Sequence, residues 1–202
     1  MSKITIKDNE EFLRQISKPI IFPDNDLIND IKVLEEYFKN SNRTLALAAV
    51  QLGIPKRLIY LKNTNLEVIN RQNRNEATEE DKKYNEARIL INPKVIKREG
   101  LTEYWEACAS CLDNTGRVKR PYKITLEYFD VEENKHTEIF ERFESTVWSH
   151  ELDNLDGILH IDIAEEVLIM NKEERKIFRQ THDYEIITKD GNYEELIEPK
   201  ES

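Results

Sequence analysis

The sequence predicts a single domain that mixes helices with short strands, and three observations lead there. Trp148 to Gly157 has helical spacing and ends on a glycine where a left-handed cap is wanted. Short apolar or alternating runs at 57–61, 89–91, 95–104, 124–130 and 136–140 have the length and composition of strands. A chain of 202 residues buries one substantial core and demands no second domain.

Taken in order, Pro19 to Asp24 carries two prolines that enforce an extended or turning path. A helix follows, because Leu27, Ile28, Ile31, Val33, Leu34, Tyr37 and Phe38 recur at near-helical spacing. Residues 43–53 are small and apolar around one interior amide, Gln51, which must find partners or cost free energy. Those partners are either neighbouring backbone or a functional site. Pro55 then turns into the strand at 57–61.

Residues 63–86 are polar with few apolar anchors and read as a surface insertion. Ile89 to Ile91 is a short buried strand ended by Pro93, with a second strand from Val95 to Tyr104. Thr115 to Pro121 reads as a loop, and the runs around 124–130 and 136–140 pair across Glu132 to Lys135. The helix extends from Phe143 through Leu155, and Ile158 to Asp162 looks extended. Asn171 with Glu174 makes a capping box for a helix through Gln180. Asp190-Gly191 predicts a hairpin between 186–188 and 193–197, inside a C-terminal extension at 181–202.

A formal charge of -10 and a pI near 5.1 exclude the basic stripe that nucleic-acid binding needs. No apolar run reaches the roughly 18 residues of a membrane span. A soluble, cytoplasmic protein is expected, in a reducing compartment where Cys108 and Cys111 are thiols or ligands rather than a bridge.

Chemistry concentrates in the helix. His150 and Asn154 are four residues apart and share a face, with Glu151 about 100° round the axis. One substitution separates this from His-Glu-x-x-His, which puts two imidazoles on one metal and a Glu where it can take and return a proton. Here the second imidazole is an amide.

Three stretches together, Thr44 to Gln51, Glu106 to Ser110 and Ser149 to Gly157, resemble the peptide deformylase family in order and interval. They match its Gly-x-Gly-Leu-Ala-Ala-x-Gln, Glu-Gly-Cys-Leu-Ser and Gln-His-Glu-x-Asp-His runs. The resemblance implies an α+β domain with short antiparallel sheets around a central helix that carries the metal site. It implies a divalent metal, Fe2+ or Zn2+, and hydrolysis of the formyl group from N-terminal formyl-methionyl peptides emerging from the ribosome. Carried onto this chain, Cys108 and His150 are metal ligands and Glu151 is the general acid and base. Gln51 and the backbone N-H of Ala109 stabilise the oxyanion. Leu45, Val147 and His150 line the methionine pocket, while Glu106 and Arg120 form a supporting charge pair.

The departures define the alternatives. Asn154 stands at the second histidine ligand, and a neutral amide is a poorer donor to a transition metal than imidazole. Thr44, Ala46 and Ala107 stand where the family has glycines, and Ala109 where it has leucine. A working enzyme needs a substitute donor. Cys111, three residues from Cys108, is one, and His160 is a weaker one, about 15 Å away on any continuous helix unless Gly157 turns the chain sharply. The other readings are a non-catalytic module that binds peptide N-termini, thiol-disulfide exchange at Cys108 and Cys111, and plain packing of the same residues.

Overall fold

One strand organises the molecule. In the computed structural model, which describes residues 3–40, 45–62 and 87–197, β3 (Arg88–Ala107) runs for 20 residues and pairs in turn with four others. Its first residues pair with β2 (Leu58–Leu61), which pairs with β1 (Ala46–Ala48). Its middle pairs with β5 (Lys123–Phe129), the inner strand of a hairpin with β6 (Lys135–Glu141). Its end pairs with β4 (Asn114–Arg120) on one edge and β8 (Glu185–Asn192) on the other, and β7 (Glu166–Ile169) adds to β4. Every pairing between these strands is antiparallel, with one parallel bridge, Lys18 to Lys56, outside them, and the α+β class is borne out. The strands form one hydrogen-bonded sheet rather than several.

Two helices cover opposite faces of its first three strands. Leu34 and Phe38 of α2 (Leu27–Asn40) pack with Leu47, Leu58 and Tyr60, and the alternate residues Ala46, Ala48, Ile59 and Leu61 face α3 (Phe143–Leu155). This is the two-residue period of a strand buried on both sides. Trp148, Leu152 and Leu155 of α3 complete the larger core. Among the described residues the four shorter helices are α1 (Ile6–Leu13), α4 (His160–Ile163), α5 (Lys172–Phe178) and α6 (Tyr193–Ile197). None of the described helices is long and apolar enough to cross a membrane.

The helices at 27–38 and 143–155, the strands at 57–61, 124–130 and 136–140 and the capping box of α5 agree with expectation. Four segments do not. Pro93 does not end the strand, because the register shifts between Ile91 and Lys94, where Asn92 has φ +52° and the missing proline N-H leaves no ladder partner unmet. The supposed loop at 115–121 is β4; its cationic side chains concealed an alternation in which Gly116, Val118 and Arg120 are buried. The segment at 158–162 contains the turn of α4, whose start is capped by Asp162 accepting from the Leu159 N-H at 2.7 Å. Residues 193–197 are helical because Asn192 accepts from the Glu194 and Glu195 amides and caps them. The insertion at 63–86 lies outside the described residues.

Gly157 fixes the exit from α3. Its φ is +75°, as the predicted cap requires, and a Cβ there would lie 2.2 Å from the Arg14 carbonyl oxygen.

Candidate active site

The site assembles where the ends of β1 and β3 meet α3. Ala46 and Ala48 lack bulk, so the strand approaches the helix closely enough for the Ala48 N-H to donate to Glu151 Oε2 at 2.8 Å. The short 3-10 turn after β1 (Ala49–Leu52) aims Gln51 inward, and it is almost fully buried. Its Nε2 donates to Cys108 Sγ at 3.1 Å and to Ser110 Oγ at 2.9 Å, while its Oε1 accepts from the Ala48 N-H at 3.2 Å. Gln51 therefore bridges two of the three motifs.

Cys108 precedes a second 3-10 turn (Ala109–Cys111) at the end of β3. Ala109 opens that turn and is exposed, and a first-turn N-H has no partner within its own helix. Cys108 is buried, accepts from Gln51, and has the Cys111 thiol and the His150 ring beside it. The contact with Cys111 lowers its pKa most, burial opposes ionisation, and His150 adds to the lowering, so the thiol sits well below its ordinary value.

His150 is held from behind. Its Nδ1 lies 2.7 Å from Glu106 Oε2, which leaves Nε2 for the Cys108 side. Glu106 in turn receives two bonds from Arg120, Nε to Oε1 at 2.7 Å and Nη2 to Oε2 at 3.0 Å; both residues are 4% exposed. Arg120 also pairs with Asp153. Burial works against the Glu106 charge, but the adjacent guanidinium and the His150 and Arg120 bonds outweigh it and hold the carboxyl far below the carboxylate range. The expected charge pair is present, and its carboxylate orients the imidazole.

Glu151 is buried, and burial raises its pKa above the ordinary value against the opposing pull of His150. Asn154, 2% exposed, donates from Nδ2 to Glu151 Oε2 at 3.3 Å. Val147 is buried one turn before His150 and belongs to the main core, and Leu45 is half-buried just before β1. Thr44 lies outside the described residues.

The donors fit a divalent ion in part. A thiol with a lowered pKa and an imidazole whose far nitrogen is held by a carboxylate are what a zinc or ferrous site uses. The third inherited position does not fit: Asn154 offers a neutral amide already bonded to Glu151. Among the described residues no three His, Cys, Asp or Glu side chains stand together as a ready-made cage.

His160 is the surprise. The turn at Gly157 folds the chain back, and the His150 and His160 rings come to 5.7 Å between centroids. His160 is 1% exposed; burial pushes its pKa down, and His150 pushes it the same way. Ser110, which anchors Gln51, and Gly116, on which His160 rests, also escape a reading by motif, although Ser110 stands inside the Glu106 to Ser110 run.

An antiparallel sheet closed on a His-Glu helix, with a cysteine and a glutamine brought against that helix from two other segments, defines an α+β hydrolase scaffold. The family model described as polypeptide deformylase matches residues 1–168, and the chain belongs to that family. Peptide deformylase 2 of Clostridium acetobutylicum is 32% identical over 159 residues, spanning 79% of this chain and 93% of the relative. The peptide deformylase of Rhizobium meliloti is 34% identical over 154 residues, 74% of this chain and 78% of the relative. A crystal structure of a probable peptide deformylase from Synechococcus phage S-SSM7 superposes with a TM-score of 0.66 at 28% identity, over 80% of this chain and 98% of that one.

Proposed function

We propose that the chain is a slow, metal-dependent peptide deformylase acting on formyl-methionyl N-termini of new polypeptides in the cytoplasm. The observation that carries this reading is the convergence of Gln51, Cys108, His150 and Glu151, with Glu106 and Arg120 ordering His150 from behind.

Cys108 and His150 would hold the ion, and Asn154 stands at the family's third position without a donor that suits it. Bound there, a divalent ion supplies Lewis acidity to water and to the formyl carbonyl. Glu151, whose carboxyl pKa is held above its ordinary value by burial, takes the proton of the attacking water and returns it to the leaving nitrogen. The carbon-nitrogen bond breaks, and formate and a free methionine amine result. A Gln51 amide N-H, turned from Cys108 or Ser110 when substrate binds, and the exposed Ala109 N-H would donate to the oxygen that gains charge as the formyl carbon becomes tetrahedral. Leu45, Val147 and the His150 ring bound the methionine side chain.

The Asn154 amide bonded to Glu151 favours a second reading, a module that binds peptide N-termini without cleaving them. Formate release and calorimetric binding of a formyl-Met tripeptide, measured on one anaerobic, iron-supplemented preparation, separate the two. Release supports the deformylase reading, and binding without release leaves the module.

A further inference from the structure

Asn154 leaves a defect that another residue is positioned to repair. His160 is buried, its Nε2 lies 3.3 Å from the Asn114 carbonyl oxygen, and its Nδ1 has no hydrogen-bond partner. A ring nitrogen facing a carbonyl oxygen must carry the proton, so Nδ1 keeps a bare lone pair. Metal-binding histidines have this arrangement, one nitrogen donating to a carboxylate or backbone carbonyl and the other free for the ion. His150 has it in mirror form, with Nδ1 on Glu106. Two imidazoles that share one tetrahedral ion through bonds of ~2.0–2.1 Å have ring centres about 5 to 6 Å apart. The observed separation is 5.7 Å.

The neighbourhood is shaped to admit the ring. His160 lies over Gly116 of β4, where a Cβ would come within 3.1 Å of its Cδ2 and 2.8 Å of the Ala164 Cβ. Cys111, the other candidate, sits in an apolar cluster with Leu159, Ile6 and Ile161, where the neighbouring Cys108 and burial push its thiol pKa up and disfavour the thiolate.

We propose that His160 is the third protein donor to the divalent ion, closing onto Cys108 and His150 in the role that Asn154 serves poorly. The proposal rests on the deformylase reading for the identity of the first two donors. No three donors stand in ligating range among the described residues, so the His160 ring must move toward Cys108 and His150 when the ion binds.

The test is a metal-affinity cycle on the full chain, with Zn2+ competition and Co2+ absorption as readouts and circular dichroism confirming the fold of each variant. H160F fills the same volume without a donor, and H160Q keeps an N-H for the Asn114 carbonyl. In the Asn154 background each should weaken Zn2+ at least about 10-fold, by analogy with the loss of lesser partners, and change the Co2+ ligand-field bands. In an N154H background, where the family's own third imidazole is restored, the same substitutions should cost less than about 3-fold. Equal losses in both backgrounds, no loss in either, or a C111S variant that alone reproduces the loss would each overturn the proposal. An intact cycle without formate release would leave His160 as a ligand and remove only the deformylase reading.

Discussion

The two sides of the His150 ring are built to different standards. Behind it, the buried Glu106 and Arg120 and the half-buried Asp153 form a network in which every charge has a partner and the imidazole is held by a 2.7 Å contact. In front of it, Glu151 shares one backbone N-H with Gln51 and takes a long bond from Asn154, and no three strong donors are gathered. The bracing is complete while the donor set is thinned. The difference teaches that holding an imidazole in place and equipping it for an ion are separable tasks, performed by residues on different strands and helices.

Breaking the bracing should have the largest effect. R120M leaves Glu106 buried with its main counter-charge gone, and removal of one partner of a buried pair typically costs about 3–5 kcal/mol; urea unfolding measures it, and a loss below about 1 kcal/mol would mean the pair is not the brace described. G157A comes next. It puts a side chain at φ +75° and drives a Cβ to 2.2 Å from the Arg14 carbonyl oxygen, so about 2 kcal/mol or more of destabilisation is expected from backbone strain and the clash. The variant also tests whether the return of His160 depends on that turn, since metal retention should fall with it.

N154H sharpens the contrast from the other direction. Restoring an imidazole in front of His150 should raise Zn2+ affinity and formate release by at least about 10-fold with little change in stability. A gain in affinity without a gain in rate would locate the remaining deficit at Ala46 and Ala107.

The smallest effect is expected far from the site, at the β5 to β6 turn. There Asp130 accepts from His136, 2.6 Å away, and from the amides of Glu132 and Asn134, and the His136 contact leads in lowering its pKa to about 2. A carboxylate lowered on folding contributes stability that is present above its unfolded value near 4 and is lost as pH falls through 2. D130N should remove that increment, so amide exchange of the hairpin tips should differ between variant and parent at pH 5 and converge near pH 2.

How much of this was legible in the sequence depended on how local the cause was. Helix α3 and its glycine cap were, because spacing and Gly157 act within a few residues. The motif residues could be named, and the Glu106 and Arg120 pair with them, because their order matched a known pattern. Strand β4 was hidden because its buried Arg120 and half-buried Lys119 mask the alternation, and only pairing with β3 reveals which side faces in. His160 ranks below Cys111 on helical distance, with a sharp turn at Gly157 as the one way back. The turn that returns it beside His150 needs Arg14 and Gly157 in contact, which no local pattern records. Residues 193–197 were misread because Asn192 capping a helix and Asp190-Gly191 turning a hairpin compete within three positions.

The most direct measurement is formate release from a formyl-Met tripeptide by anaerobic, iron-loaded protein and by its E151Q variant. The account predicts slow release from the parent and a loss of about 100-fold or more in the variant, the typical reach of a positioned acid-base group. No release from a preparation carrying one iron per chain, or equal rates in the two proteins, would contradict it.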